Sequence, residues 1–410
     1  MALKLEWVGE TAYDRVALAR HRCYSGMAGN LDKYREAMQF DTRQKPGDFL
    51  LASRDGIDVG TTTALSLHLW IRGARVPCQG VAYVGTTKTH RRGGSNDERG
   101  IASQLMSATI EKARERGEYL SALMPFRASF YEHFGYGNAE QRVEWNVPLS
   151  ILPRGDFAGF RFVEDSDDAR IIELRSREAA AGQCDIETTP AALASFKRSW
   201  PNGQTFVDQP TPGGPIESCV HLLEERGGAQ ASAVVDDWAA ATPDAMLRLF
   251  HFLASLKDQY TFARITLPAD LPLNRLLKET QVPHRQVDHP VATQRPYTRM
   301  QIRVLDHVKL LGAMTLQSAR RGSCTVAIKE NEGTVTRLRL DVADRKITAT
   351  RTNSECDVEM TDVLWASIVS GDLRASVAHR WGTIRSVSAS AIDLLEAFSE
   401  GPLPWCQEYF

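Results

Sequence analysis

Residues 80–137 constrain the fold more than any other stretch of this chain. Gly80 to Thr87 reads as a strand. Thr89, His90, Arg91, Arg92, Gly93 and Gly94 then open a basic, glycine-rich loop that runs through Arg99 and Gly100. Ile101 to about Arg116 keeps Ala102, Leu105, Met106, Ile110 and Ala113 on one side, a helical period. Lys112, Arg114 and Arg116 suit the C-terminal end of such a helix, and Gly117 the position that follows it. Tyr119 to Met124 returns as a strand. A strand feeding free backbone N–H groups at a helix start makes an anion site. The added arginines favour a phosphate-bearing cofactor.

The flanking sequence supplies a sheet for this unit. Leu3 to Val8 alternates apolar and polar, residues 11–40 are helix-rich with a loop over Tyr24 to Asn30, and a meander follows. Its strands are Asp48–Ser53, Thr61–Ile71 and the one ending at Thr87, with Asp55-Gly56 as a hairpin signal. Helices, an antiparallel meander and then strand–loop–helix–strand describe an α+β fold. Gln141 to Val147 is a further strand, and Pro148 to Pro153 reads as a domain exit.

From Phe160 the order restarts: a helix over 169–181, strands at Glu217–Leu223 and Gln230–Trp238, a helix opened by Thr242 and Pro243, a strand at Phe262–Leu267 and a short helix at Leu273–Glu279. No arginine-rich loop stands between Trp238 and Thr242, so a second copy of the fold without the cofactor loop is expected. A last block begins near Tyr297–Val304. It carries alternating strands at Cys324–Ile328, Thr336–Val342 and Lys346–Thr350, then helical pieces at 361–370 and 388–399. The tail contains Trp405, Tyr409 and Phe410; leaving such groups in water forfeits roughly 1.5–3 kcal/mol each, so a docked tail is expected.

The balance of 49 Lys+Arg against 51 Asp+Glu gives no case for nucleic acid or an anionic membrane. Seven scattered cysteines without a CxxC pair argue against a disulfide framework or a zinc site and fit a reducing cytosol. No secretory signal is visible at Met1 to Trp7, and no apolar run approaches the ~18–20 residues that span a bilayer. A cytoplasmic protein with no metal is the expectation.

The strand, Thr89 to Arg92, the glycine loop and the helix resemble the acetyl-CoA pyrophosphate loop of the GNAT superfamily of N-acetyltransferases. Phe130, Tyr131, Phe134, Gly135, Tyr136 and Gly137, with the restarted second block and the final Phe, resemble the enhanced-intracellular-survival (Eis) family. That resemblance implies two tandem GNAT acetyltransferase folds followed by a sterol-carrier-protein-like domain. It divides the chain into a catalytic domain at 1–150, an acetyltransferase-like domain lacking the cofactor loop at 151–293, and a domain at 294–410 whose tail reaches the active site. It also implies homo-oligomers. In one respect the sequence departs from the family: Ser95 to Gly100 separates Arg91–Gly94 from Ile101-Ala102. Either Arg91, Arg92, Gly93 and Gly94 hold the phosphates and 95–100 bulges out, or Arg99 and Gly100 join a longer loop. Asp97 and Glu98 are expected to face solvent, because inward carboxylates repel phosphate.

Acetyl transfer needs a bound thioester, a positioned neutral amine, a donor to the developing oxyanion and a proton for the departing thiolate. Loop and helix-start groups at Arg91 to Gly94, Arg99, Gly100, Ile101 and Ala102 are the expected cofactor contacts, with main-chain groups of Val84, Gly85 and Thr86 at the thioester. The resemblance marks Tyr131 as general acid. A free tyrosine, of pKa about 10, is protonated at pH 7 and can donate to a thiolate of pKa near ~8.5. The alternative is that Tyr131 merely packs among Phe126, Phe130, Phe134 and Tyr136; of these, Tyr136 is expected to pack. The Phe410 carboxylate is the base candidate. Its intrinsic pKa of roughly 3.3–3.7 requires it to act through desolvation, through water, or on an amine that arrives neutral. The alternative is a free, solvated terminus. Tyr24, Phe40 and Trp70 are candidate walls of an acceptor pocket.

The leading expectation is therefore acetyl-CoA-dependent transfer to a primary amine: a polyamine, an aminoglycoside-like molecule or a lysine. Transfer of a different acyl group is the related alternative. A non-catalytic CoA- or lipid-binding carrier or scaffold is the alternative from another class.

Overall fold

The computed structural model describes residues 2–25, 29–40, 47–91, 100–199, 202–227, 230–281 and 291–410, without the side chains of residues 39, 40, 199 and 230. These residues form two compact units: Met1–Ala139, Met300–Gly401 and Tyr409–Phe410 make the first, and Glu140–Arg299 with Pro402–Glu408 the second.

In the first unit the chain runs β1 (Lys4–Val8), α1 (Tyr13–Tyr24), α2 (Leu31–Phe40), β2 (Phe49–Arg54), β3 (Ile57–Ile71), β4 (Ala74–Thr86), α3 (Ile101–Glu115), β5 (Leu120–Leu123), α4 (Ala128–Glu132) and β6 (Gly137–Asn138). A further strand, β7 (Gln301–Val304), pairs with both β5 and β6, giving the order β1-β2-β3-β4-β5-β7-β6. Neighbours are antiparallel except β4 and β5, which α3 joins as a parallel pair. The β2–β3 turn places both Asp55 and Gly56 at positive φ, 53° and 78°, as a two-residue hairpin matched to strand twist requires. One face of the sheet buries Phe49 and Leu51 against Val16, Ala17 and Ala19 of α1. The other buries Leu50, Ala52 and Val59 against Ile101 and Leu105 of α3. The alternation of the strands thus sends successive residues to two different helical layers.

The same unit holds a five-stranded sheet in the order Lys346–Arg351, Val335–Ala343, Gly322–Lys329, Val358–Thr361, Arg385–Ser386. Its central pair, Gly322–Lys329 with Val358–Thr361, is parallel. Trp365 and Phe398 are buried beneath it, and the Trp365 indole N–H donates to His307 Nδ1 at 2.9 Å.

The second unit repeats the first motif. Its seven-stranded sheet runs Thr293–Tyr297, Arg142–Pro148, Phe262–Pro268, Gln230–Ala240, Ser218–Gly227, Gln204–Asp208, Phe160–Phe162. Again one pair is parallel, Gln230–Ala240 with Phe262–Pro268, joined by the helix Pro243–Ser255. Only Ala241 and Thr242 connect strand to helix, and the Thr242 hydroxyl accepts from Ala245 N at 3.1 Å. That side-chain cap occupies the helix start that α3 leaves open.

Three placements differ from the local reading of the sequence. Arg142–Pro148 is a strand of the second sheet, and Gln301–Val304, expected at the start of the last block, completes the first. Alternation specifies a strand but not its sheet. Leu273–Glu279 forms only the single turn Leu273–Arg275, since so short a segment does not repay helix nucleation.

Candidate active site

The site grows from the place where β4 and β5 part. Their pairing covers three positions, Cys78↔Leu120, Gln79↔Ser121 and Gly80↔Ala122, although β4 continues to Thr86. Beyond Gly80 the edge of β4 that faced β5 is open. A bulge accentuates the departure: the β3–β4 register shifts between Thr61 and Thr63, and Tyr83 sits at φ 54°. A tyrosine in that left-handed region costs of order 1–3 kcal/mol, offset by its surroundings. The Arg20 guanidinium lies 3.8 Å from the centre of its ring, and the Tyr24 ring meets it edge-on at 6.1 Å.

Val84, Gly85 and Thr86 line this open stretch. Gly85 allows α1 to approach β4 closely: a Cβ there would stand 2.8 Å from Cys23 Cβ and 3.0 Å from Tyr24 Cε2. Two basic residues past the strand tie down the end of α1. Lys88 Nζ donates to Ser25 O at 2.6 Å, and Arg91 donates to Cys23 O at 3.0 Å and Thr86 O at 3.2 Å. Arg91, expected to serve phosphate, thus spends two donor nitrogens on main-chain carbonyls. Arg92, Gly93, Gly94 and Arg99 lie outside the described residues.

Gly100 is the N-cap of α3 and carries no side-chain cap; its carbonyl accepts from Ser103 N and Gln104 N at 2.9 and 3.1 Å. Among the described residues the N–H groups of Ile101 and Ala102 have no acceptor. The first turn of a fifteen-residue helix therefore presents donors that no described residue satisfies, and the positive end of its dipole, as a phosphate site requires. A cavity of about 450 Å³ opens along the same helix, lined by Ser103, Ser107 and Arg114, by His133 after α4, and by Arg303 and Glu332. The sequence reading missed these residues. The serines at i and i+4 on the face of α3 away from Leu105 were the available signal.

Tyr131 and Tyr136 differ in the way that matters for proton donation. Tyr136 is fully buried and bonded to Ser121 Oγ at 2.7 Å. Ser121 gives its own hydrogen to Gln79 Oε1 at 3.1 Å, so Tyr136 is the donor to Ser121 and its proton is spent. Burial pushes the Tyr136 hydroxyl up to about 12. Tyr131, on α4, is 4% exposed, and its ring packs edge-on against Phe130 at 5.0 Å and Phe126 at 5.7 Å. Its hydroxyl has no hydrogen-bond partner among the described residues. Burial raises its pKa above that of a free tyrosine, with Tyr136 adding to the rise. Tyr131 shares a buried cluster with Val81 and Leu123, the residues that follow the last β4–β5 pair on either strand.

Phe410 stands at that last pair. A Cβ on Gly80 would lie 3.0 Å from Phe410 Cδ2 and 3.2 Å from Cε2, so the ring occupies the space the glycine leaves. Of the three acceptor-pocket candidates, Tyr24 is near the open edge and 46% exposed. Phe40 ends α2, and its side chain lies outside the described ones. Trp70 is not brought to the site. It lies an even number of residues from Ser66, whose hydroxyl meets Arg116 beyond the end of α3, whereas Phe410 packs on the face of Gly80 and Leu67. Among the described residues no group of three or more His, Cys, Asp or Glu is arranged to hold a metal ion, and no helix is long and apolar enough to cross a membrane.

Comparison with known proteins agrees with this geometry. Residues 9–139 match a family model described as an acetyltransferase (GNAT) domain, and residues 213–304 match a second model of the same description. An uncharacterised N-acetyltransferase of Streptomyces avermitilis is 25% identical over 370 residues, covering 83% of this chain and 82% of that protein. The crystal structure of a GCN5-related N-acetyltransferase from Anabaena variabilis superposes with a TM-score of 0.83 at 18% identity, covering all of both chains. Eis1 from Mycobacterium abscessus does so with a TM-score of 0.77 at 19% identity, again over all of both chains. The chain carries two acetyltransferase (GNAT) domains.

Proposed function

We propose that the chain moves an acetyl group from acetyl-CoA to a primary amine by direct attack, with Tyr131 as general acid and the Phe410 carboxylate as base. The observation that carries this reading is the convergence on one point of the sheet: Phe410 packs at Gly80, the last β4 residue paired with β5, and Tyr131 belongs to the cluster built on the next residue of each strand. The uncapped start of α3 suits the pyrophosphate, and the cavity beside Ser103 and Ser107 suits the nucleotide end of the same substrate.

In this reading the amine lone pair attacks the thioester carbonyl carbon while main-chain N–H groups near Val84, on the open edge of β4, stabilise the oxyanion. The C–N bond forms, the C–S pair leaves with sulfur, and Tyr131 supplies the proton that sulfur takes. The proton lost from nitrogen passes to the Phe410 carboxylate, directly or through one water. Full transfer from a tyrosine of pKa about 10 to a thiolate of pKa near ~8.5 is uphill by roughly 2 kcal/mol, and burial adds to that. Tyr131 therefore donates during C–S cleavage rather than before it, and recovers its proton from solvent.

Apart from the strands Arg142–Pro148 and Gln301–Val304, which belong to the second and first sheets, residues 1–150 would then be the catalytic domain, 151–293 a loop-less copy and 294–410 a sterol-carrier-like domain, the last supported by its separate five-stranded sheet. A small-molecule or lysine acceptor, a cytoplasmic location and a homo-oligomer complete the reading; light scattering tests the oligomer. The direct test of the reaction is thiol release from acetyl-CoA with spermidine, an aminoglycoside and a lysine peptide as acceptors, beside Tyr131→Phe. No release with any amine favours the carrier reading, and a thermal-shift panel of acyl-CoAs separates acetyl from longer acyl groups.

A further inference from the structure

The second copy of the fold has its own opening between parallel strands, and a piece of the same unit fills it. Pairing of Gln230–Ala240 with Phe262–Pro268 ends at Val235↔Ile265. Past that point the Trp238 indole reaches across to Thr266 O at 2.9 Å, and the Trp238 carbonyl accepts from Gln407 Nε2 at 2.8 Å. Trp405 lies 5.8 Å from the Trp238 ring and 4.0 Å from the Arg142 guanidinium. In an acetyltransferase copy with a cofactor loop, this opening would face a thioester.

The main chain of 402–408 is bound there group by group. Leu403 N–H donates to Asp270 at 2.9 Å, Trp405 N–H to Gln183 O at 2.8 Å, Cys406 N–H to Glu140 at 2.9 Å and Gln407 N–H to Asp185 at 2.9 Å. The Cys406 carbonyl accepts from both Arg142 and Arg299, and Arg299 also reaches Glu408 O at 3.2 Å. The Thr188 hydroxyl holds the Glu408 side chain. Glu140 is fully buried and pairs with Arg142 at 3.0 Å.

We propose that the second unit is a receptor for residues 402–408, in which Glu140, Asp185, Arg142 and Arg299 are positioning residues that fix where the Phe410 carboxylate ends. This rests on the reading of Phe410 as base. Burying Glu140, Asp185 and Arg142, with Arg299 half-buried beside them, costs more than burying apolar groups of similar size, so simple anchoring does not call for them. What they add is register: Asp270, Glu140 and Asp185 each accept from one particular N–H, of Leu403, Cys406 and Gln407, so a tail slipped by one residue loses this set of pairings. Phe410 lies only two covalent links past Glu408, so fixing 402–408 limits where the terminus can lie.

Asp185 also gives the clamp a titratable element. Burial raises its carboxyl to about 7, with Glu408 adding to the rise and the Gln407 N–H, Cys406 and Arg175 opposing it; Arg299 faces it as well.

The test uses the full chain with Glu140→Gln and Asp185→Asn, singly and together, beside a chain lacking only Phe410. Carboxypeptidase A release of Phe410, followed by mass spectrometry, is expected to be at least ~10-fold faster in the double variant, beyond what its lowered global stability accounts for. The kcat is expected to fall in step while KM for acetyl-CoA stays put. Wild-type kcat should lose activity below about pH 7 in a limb that Asp185→Asn removes. Release at the wild-type rate overturns the clamp, as does faster release with unchanged kcat while loss of Phe410 abolishes turnover. Full activity without Phe410 instead removes the role of the terminus, and the clamp then stands or falls on release alone. If the double variant unfolds, the single variants decide by the same two readouts.

Discussion

The Phe410 ring lies in the space that the missing side chain of Gly80 leaves, at the last position where β4 is paired with β5. One residue further on, Val81 and Leu123 stand in the cluster that holds Tyr131. The two candidate catalytic groups, 279 residues apart in sequence (410 − 131), are thereby referred to one step of one sheet.

Gly80→Ala inserts a methyl group against Leu67 and 3.0 Å from the Phe410 ring. The end of Leu67 can turn away, and the ring must give by a few tenths of an ångström. The expected result is a fall in kcat of ~10-fold or more, with acetyl-CoA affinity retained, because the helix start is untouched. Steady-state kinetics with titration calorimetry of CoA checks it; a change confined to acetyl-CoA affinity would contradict it.

Tyr131→Phe and Tyr136→Phe should part company. Tyr131→Phe is expected to lower kcat by ~10²–10⁴-fold and leave stability near wild type, as loss of a general acid does. Tyr136→Phe breaks the buried bond to Ser121 and is expected to cost about 1 kcal/mol of stability with little loss of kcat. The reverse pattern would exchange their roles.

Gly85→Ala would place a Cβ 2.8 Å from Cys23 Cβ, which is not the end of a flexible side chain. Overpacking of this kind costs typically about 1–3 kcal/mol, so thermal unfolding should shift down by several degrees. No shift would mean that α1 does not pack on β4 this closely.

Glu118 supplies a pH test of the first unit. Burial raises its carboxyl from 4.5 to about 7, although Arg116 opposes the rise. The folded state then binds more protons than the unfolded one between those two values, so this group lowers stability as pH climbs from about 4.5 to about 7. Glu118→Gln removes that loss. Relative to wild type, the variant is expected to gain ~1–3 kcal/mol between pH 4.5 and pH 8, read by urea unfolding at the two pH values. A gain of the opposite sign would mean that the ion pair with Arg116 outweighs burial.

Much of this was legible in the residues. The uncapped helix start announced itself through Gly100 and the apolar period of Ile101, Leu105 and Ile110, and the loop-less second copy through Thr242-Pro243 following Trp238 so closely. What sequence could not give was sheet membership. Gln301–Val304 alternates as any strand does, and only long-range pairing seats it between β5 and β6. Nor could it tell that Arg91 serves Cys23 and Thr86 main-chain oxygens, because a guanidinium near a glycine loop looks the same whether it meets phosphate or carbonyl. Trp70 was misplaced for a similar reason: an aromatic residue in a strand has two faces to choose from, and register alone decides. The bond that distinguishes Tyr136 from Tyr131 depends on Ser121, fifteen residues away from the pair's second member.

The most direct measurement is turnover of acetyl-CoA, with an amine acceptor that wild type uses, by two altered chains: one ending at Tyr409 and one extended past Phe410 by a few glycines. Both keep every strand and helix described above. The expected result is loss of thiol release in both, with unchanged unfolding temperature and unchanged CoA binding. Wild-type turnover in either chain would contradict the proposed role of the Phe410 carboxylate as base.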